Sequence, residues 1–186
     1  MARYAEAFKR LIDAEYPDGE EDFLHKNSGE NGLTVGGVYQ SANPESFNWD
    51  FIESILNVCD GDIERASIML YHDSKTKEQV FWFFKKNYWD IARLSEVQEQ
   101  NTAEEIFLMG VVSHPITAVK LAQKLIRVDS DGICGDYTIK ALNNYNVNMF
   151  DRQYDNLEEQ HFDKVIQRNP HLCINKKGWY NRARLV

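Results

Sequence analysis

The apolar and polar positions along the chain follow a mainly helical pattern. The first stripe (Tyr4, Phe8, Leu11, Ile12) lies on one face of a helix, and Glu15 completes that face with a carboxylate. Similar stripes with helical spacing recur through residues 47–56, 63–70, 80–92, 106–111, 118–126 and 154–165. The sequence therefore predicts a mainly α protein.

One segment, residues 31–40, has a different composition. It combines the Asn31-Gly32 turn signal with β-branched residues, which is typical of a short β-hairpin. The adjacent Gly36 and Gly37 indicate a bulge or a close approach of the backbone to another element. Farther along, Thr102 and Glu105 have the spacing of a capping box and predict the start of a helix.

Composition and charge narrow the function classes. The 186 residues include 21 Lys and Arg against 29 Asp and Glu, a net charge of −8, which disfavours a general nucleic-acid binder. No run approaches the roughly 20 apolar residues of a membrane span, and residues 1–16 lack the apolar core of a standard signal peptide. We therefore expect no stable membrane insertion and synthesis in the cytoplasm. The three cysteines are odd in number and widely spaced, which predicts free thiols.

Two groups of polar residues have the pattern of glycosidase chemistry. Burial of Glu15 on an apolar face would raise the pKa of its carboxyl, as a general acid requires. The alternative is a helix-end glutamate that reaches solvent or pairs with Arg10 or Lys26. Glu30 and Thr34 lie close to the predicted turn and could hold a water molecule on the opposite side of a scissile bond. A loop glutamate and a strand threonine are also common without any such role.

Motifs for other chemistries are absent from the sequence. The five histidines form no HExxH motif, and Asp129–Gly132 lacks the later glutamate of a calcium loop. There is no GxSxG, GxGxxG or P-loop motif. No metal or organic cofactor is implied.

Five groups of residues occur in the order found in one known family. They are Phe8, Leu11 and Glu15; Gly32–Val38; Lys86–Trp89; Asp131–Gly135 with Thr138, Ala141 and Leu142; and Arg152, Tyr154, Asn169-Pro170 and Gly178–Arg182. Together they resemble glycoside hydrolase family 108, the lysozyme-like N-acetylmuramidases of phages, prophages and toxin-secretion loci. Tyr16-Pro17 replaces the two glycines that follow the family's catalytic glutamate. Gly29-Glu30 replaces its Asp-Pro, and Leu108 and Val112 replace an Asp and an Asn.

The resemblance implies a lysozyme-like fold with two regions. Residues 1–113 would form the catalytic region, and residues 114–186 a helical peptidoglycan-binding-like region packed on it. Because no linker separates them, we expect one compact unit.

The implied reaction is hydrolysis of the β-1,4 bond between N-acetylmuramic acid and N-acetylglucosamine in peptidoglycan. Glu15 would be the general acid, while Glu30, with Thr34, would position the water. We expect His25, Tyr39 and Trp89 to line a sugar groove, with core packing as the alternative for Trp89. The partner would be peptidoglycan glycan strands in the periplasm or cell wall. A holin-like pore or a secretion apparatus would release the enzyme for phage lysis or secretion.

Two alternatives stay open at this point. A lytic transglycosylase on the same kind of fold needs one acid/base glutamate and no second carboxylate. A non-catalytic peptidoglycan-binding protein would explain the altered residues after Glu15.

Overall fold

The chain is mainly helical and carries one small antiparallel sheet. A computed structural model describes residues 1–15, 19–27 and 31–186. The α-helices are α1 (Tyr4–Glu15), α2 (Trp49–Val58), α3 (Ile63–His72), α4 (Ser74–Phe84), α5 (Gln100–Val112), α6 (Pro115–Leu125), α7 (Asp136–Asn143), α8 (Val147–Arg168) and α9 (Lys176–Arg182). The strands are β1 (Leu24–His25), β2 (Thr34–Val35) and β3 (Val38–Tyr39), and a π-helical turn covers Lys85–Trp89. The predicted fold class, mainly α and lysozyme-like with a small hairpin, is confirmed.

The residues group into two compact units. The sheet unit comprises Phe8–Phe84, and the helical unit comprises Met1–Ala7 and Lys85–Val186. The predicted boundary at residues 113 and 114 falls inside the helical unit, between α5 and α6, which pack against each other. That residues 1–113 form the catalytic region stays a prediction. That residues 114–186 form a peptidoglycan-binding-like region stays a prediction.

The sheet unit contains the predicted hairpin and one further strand. The strand order is β1-β2-β3, all antiparallel, with His25 opposite Thr34 and Val35 opposite Val38. The hairpin turn is Gly36-Gly37, with φ values of +53° and +81°, the positive values that a tight two-residue turn requires. These glycines form the turn rather than a bulge. The two residues of β1 are too few to show a strand periodicity.

Gly36 also makes the close backbone approach that the sequence predicts. Its N–H donates to the carbonyl of Phe23 at 2.8 Å, which ties the hairpin turn to the segment before β1. A Cβ atom at this position would lie 2.5 Å from Cγ2 of Val80 on α4. The turn therefore sits against α4 at a distance that only glycine permits.

In the helical unit, α5 is surrounded by other helices. Its residues from Thr102 to Gly110 are all buried, and it packs on α6 and α8. The predicted capping box is wrong, because α5 begins at Gln100 and both Thr102 and Glu105 lie inside the helix. Glu105 is therefore a buried carboxylate on the packed face of α5.

Hydrogen bonds from a side chain on α6 hold the turn that precedes α7. The amide nitrogen of Gln123 lies 2.8 Å from Oδ1 of Asp131, and its oxygen accepts from Gly132 N–H at 2.8 Å. Elsewhere in the helical unit, Trp179 on α9 stacks on Phe162 of α8 with ring centroids 4.9 Å apart. Both the turn before α7 and the ring of Trp179 therefore contribute to packing within the helical unit.

Two further expectations can be compared with the structure. Cys59, Cys134 and Cys173 are free, as predicted. Within the described ranges, no helix has both the length and the apolar character needed to cross a membrane.

The burial of α5 predicts that residues 1–113 alone do not fold. This fragment lacks α6 and α8, so the apolar side chains of α5 would be exposed to water. We expect an insoluble or molten fragment, judged by near-ultraviolet circular dichroism and the cooperativity of urea unfolding. A soluble fragment with cooperative unfolding would contradict this expectation.

The contact of Gly36 with Val80 predicts a large effect of Gly36→Ala. Positive φ costs alanine about 1–2 kcal/mol, and overpacking against the stiff Val80 side chain adds about 1–3 kcal/mol. Gly61→Ala is the control, since Gly61 has φ +81° and nothing lies within 4 Å of the position that a Cβ atom would take there. In urea titrations, Gly36→Ala should lose more unfolding free energy than Gly61→Ala. Equal losses would contradict the steric contribution.

Candidate functional site

A cleft of about 510 Å³ opens to solvent in the sheet unit. This volume lies within the range of about 300–1,000 Å³ that is usual for ligand sites. The residues that line it are Glu15, Asp22, His25, Lys26, Asn27, Thr34 and Gly37. Carboxylates, an imidazole, an ammonium group and a hydroxyl therefore share one polar surface.

Three elements bring these side chains together. Glu15 is the last residue of α1 and is half-buried. His25 and Thr34 lie opposite each other on β1 and β2, and Asp22 precedes β1 in a short 3-10 turn. The predicted pair Glu15 and Thr34 thus lines the same cleft.

The Thr34 hydroxyl is buried without a hydrogen-bond partner. The residue is 5% exposed, and no group in the described part of the chain satisfies its Oγ1. A buried hydroxyl without a partner costs about 1–3 kcal/mol. Thr34 itself is among the residues that line the cleft.

The ring of His25 is oriented by the backbone. Its Nδ1 lies 2.9 Å from the carbonyl oxygen of Asp22. A carbonyl oxygen only accepts hydrogen bonds, so Nδ1 carries the proton and donates. Nε2 of the neutral ring is then the acceptor that remains for a ligand in the cleft.

A buried serine on α3 holds this part of the cleft in place. The Ser67 hydroxyl accepts from Leu24 N–H at 2.8 Å and donates to the carbonyl of Glu20 at 2.6 Å. These bonds attach both ends of the Glu20–Leu24 segment to α3. Asp22 and His25 are therefore positioned by a residue that the sequence did not single out.

The other predicted site residues lie elsewhere or outside the described ranges. Glu30 falls outside the described residues. Tyr39 donates from its hydroxyl to the carbonyl of Asn31 at 3.1 Å and is not among the residues that line the cleft. Trp89 is corrected to a core residue: it is 0% exposed in the helical unit and packs on Tyr4, so it lines no sugar groove. Asp22, the next candidate for the base after Glu30, also lines the cleft.

A second group of carboxylates lies in the helical unit. Burial and the neighbouring Glu158, Asp155 and Asp151 raise the pKa of Glu105 to about 10. Burial and neighbouring carboxylates likewise raise the pKa of Glu158 to about 9 and that of Asp155 to about 6. Among the described residues, the side chains spaced to hold a metal ion are those of Glu105, Asp151 and Asp155.

Comparisons with known proteins identify a shared fold. No family model matches the chain, and no curated protein matches it. The structure of SagA from Brucella abortus matches with a TM-score of 0.63 over 98% of this chain and 90% of the SagA chain. The two sequences are 18% identical, so the similarity shows a common fold.

The unpartnered hydroxyl predicts that Thr34→Val leaves the fold stable. Valine keeps the shape of threonine and removes a buried polar group, so the free energy of unfolding should stay equal or rise by up to about 1 kcal/mol. Thr76→Val is the matched control, because the equally buried Thr76 hydroxyl donates to Asp73 Oδ2 at 2.8 Å. Loss of this hydrogen bond in Thr76→Val should lower the free energy of unfolding by about 1 kcal/mol. If urea titrations showed similar losses of unfolding free energy for both variants, the Thr34 hydroxyl would not be without a hydrogen-bond partner.

Proposed function

We propose that the protein is an N-acetylmuramidase that hydrolyses the β-1,4 bond between N-acetylmuramic acid and N-acetylglucosamine in peptidoglycan. The observation that carries the proposal is the cleft of the sheet unit, where Glu15 at the end of α1 shares one surface with Thr34, His25 and Asp22. The resemblance to glycoside hydrolase family 108 supplies the substrate class. The fold shared with SagA is consistent with a lysozyme-like protein.

In this proposal, Glu15 is the general acid. Its protonated carboxyl donates a proton to the glycosidic oxygen as the bond to that oxygen breaks. The half-buried position of Glu15 keeps its carboxyl accessible to a glycan strand in the open cleft. Water then attacks the anomeric carbon of the sugar, which has become positively charged, and this attack yields a new reducing end.

The proposed water-binding group is the Thr34 hydroxyl. A water molecule that accepts from this hydroxyl needs a base to remove its proton during attack. Asp22 lines the cleft and is one candidate for this carboxylate, and Glu30, next to the hairpin in sequence, is the other. His25 is proposed to bind sugar hydroxyls through Nε2.

A lytic transglycosylase is the second candidate function. Asp22 is exposed, so Glu15 is the only half-buried carboxylate among the described residues of the cleft. A transglycosylase requires one such acid/base glutamate, and the 6-hydroxyl of the muramic acid replaces water as the nucleophile. The two reactions leave different ends: a reducing muramic acid after hydrolysis and a 1,6-anhydro-muramic acid after transglycosylation.

The proposed place of action is the bacterial cell wall. Glycan strands are the proposed partner, and a holin-like pore or a secretion apparatus is the proposed route to them. The negative net charge agrees with a function that does not require nucleic acid.

The proposal predicts that Glu15→Gln loses wall lysis while the fold is retained. Glutamine keeps the shape of the side chain but donates no acidic proton, so the rate should fall by at least about 10²-fold to 10⁴-fold. Purified sacculi, monitored by loss of turbidity, provide the assay. Asp13→Asn is the control, because Asp13 is an exposed carboxylate on the same helix, paired with Lys9 and outside the cleft lining.

Mass spectrometry of the released fragments then separates the candidates. Reducing muramic ends support the hydrolase, and anhydro ends support the transglycosylase. In the hydrolase, the well-folded Thr34→Val variant should lower kcat with KM little changed, since a water-binding group acts mainly in the transition state. Binding of the wild-type protein to sacculi without release of fragments would indicate a non-catalytic protein. Lysis by Glu15→Gln near the wild-type rate would exclude Glu15 as the acid.

A further inference from the structure

Three carboxylates converge between two packed helices of the helical unit. Glu105 lies on α5, and Asp151 and Asp155 lie four residues apart on one face of α8, which packs on α5. One oxygen from each side chain lies within 4.8 Å of the others. Ionised carboxylates at this spacing repel one another, so the packing of α5 on α8 brings together groups that a proton or a cation has to neutralise.

Glu105 presents an oxygen that the protein itself does not satisfy. The residue is 3% exposed, and its Oε1 atom is buried without a hydrogen-bond partner. Oδ1 of Asp155 is also buried and without a partner. Buried carboxylate oxygens are normally paired with a cation or with hydrogen-bond donors, so these two atoms indicate a missing ligand.

Two arginines, Arg182 and Arg184, lie near this cluster of carboxylates. The groups that act on Glu105 are Glu158, Asp155 and Asp151, all of them carboxylates, and Asp151 also forms a side-chain hydrogen bond with Glu105. Arg184 acts on Asp155, but its guanidinium is bonded to Glu159, with Nε 2.9 Å from Oε1. The carboxylates at the α5–α8 contact thus outnumber the arginines: they are Glu105, Asp151, Asp155, Glu158 and Glu159, against Arg182 and Arg184.

We propose that Glu105, Asp151 and Asp155 bind one divalent cation, calcium, which links α5 to α8. Calcium takes oxygen ligands at about 2.3–2.6 Å, so ligands on opposite sides of the ion lie up to about 4.6–5.2 Å apart. Three oxygens that all lie within 4.8 Å of one another fit this shell, whereas magnesium is usually bound through only one or two carboxylates and keeps several waters. Carboxylate oxygens also favour calcium over zinc or copper, which prefer nitrogen and sulfur ligands.

The surroundings leave room for a water ligand beside the carboxylates. A cavity of about 10 Å³ is lined by Glu105 and Glu158, by the cationic Arg182, and by apolar side chains that include Phe162 and Trp179. This volume corresponds to about one water molecule. The site lies within the helical unit, and its role is to stabilise the packing of α5 on α8. It does not depend on the proposed function of the cleft.

The test is calcium titration of the intact, chelator-treated protein by calorimetry at pH 8, where competition from protons is reduced. We expect one calcium ion to bind per chain. At a calcium concentration of about 100 times Kd, we expect Tm to rise by about 5 °C or more. Sodium chloride at matched ionic strength should give no comparable rise, and magnesium a smaller one. A rise matched by sodium chloride, or no saturable binding, would overturn the site, and a stronger response to magnesium would overturn the choice of calcium.

Two variants locate the binding. Glu105→Gln and Asp151→Asn each remove one ligand while keeping the side-chain shape, so each should weaken calcium binding at least 10-fold. Asp151 is half-buried, which makes its variant informative even where Glu105→Gln fails to fold. Asp163→Asn is the matched control on α8, since that carboxylate bonds Lys176 at 2.7 Å. Unchanged binding by the folded ligand variants, or equal loss in the control, would overturn the proposal.

Discussion

The candidate site depends on how closely the β2–β3 turn approaches α4. Gly36 lies where any Cβ atom would overlap Val80, and its N–H is bonded to the carbonyl of Phe23. This contact holds a sheet of only two-residue strands, which would have little stability by itself. Thr34 and Gly37 take their places in the cleft because the turn between their strands is held against a helix.

A second attachment completes the support of the cleft. Ser67 on α3 satisfies one backbone group on each side of Asp22, so the segment before β1 has a defined path. Its hydroxyl is fully buried, and a donor and an acceptor of the main chain depend on it. The polar residues of the cleft thus lie on short, irregular segments of backbone, and contacts with α3 and α4 hold these segments in place.

The helical unit illustrates a different balance of forces. Its central helix α5 is buried along nine consecutive residues, and this apolar burial is large enough to accommodate carboxylates that are individually unfavourable. Glu105 and Glu158 are both almost fully enclosed there. A cation bound by Glu105, Asp151 and Asp155 would convert the mutual repulsion of these carboxylates into a link between α5 and α8, which is the physical basis of the proposed calcium site.

Local pattern by itself determined the mainly helical fold, the helical stripe from Tyr4 that ends in Glu15, and the hairpin near residues 31–40. The reason is that 3.6-residue periodicity and glycine turns are encoded by neighbours in the chain. It also selected Glu15 and Thr34, which line one cleft. Tertiary structure alone decided that Trp89 is a core residue, that Asp22 faces the cleft and that Glu105 lies inside α5 beside Asp151 and Asp155. Such placements depend on which distant segments pack together, and a pattern of neighbouring residues does not contain that information.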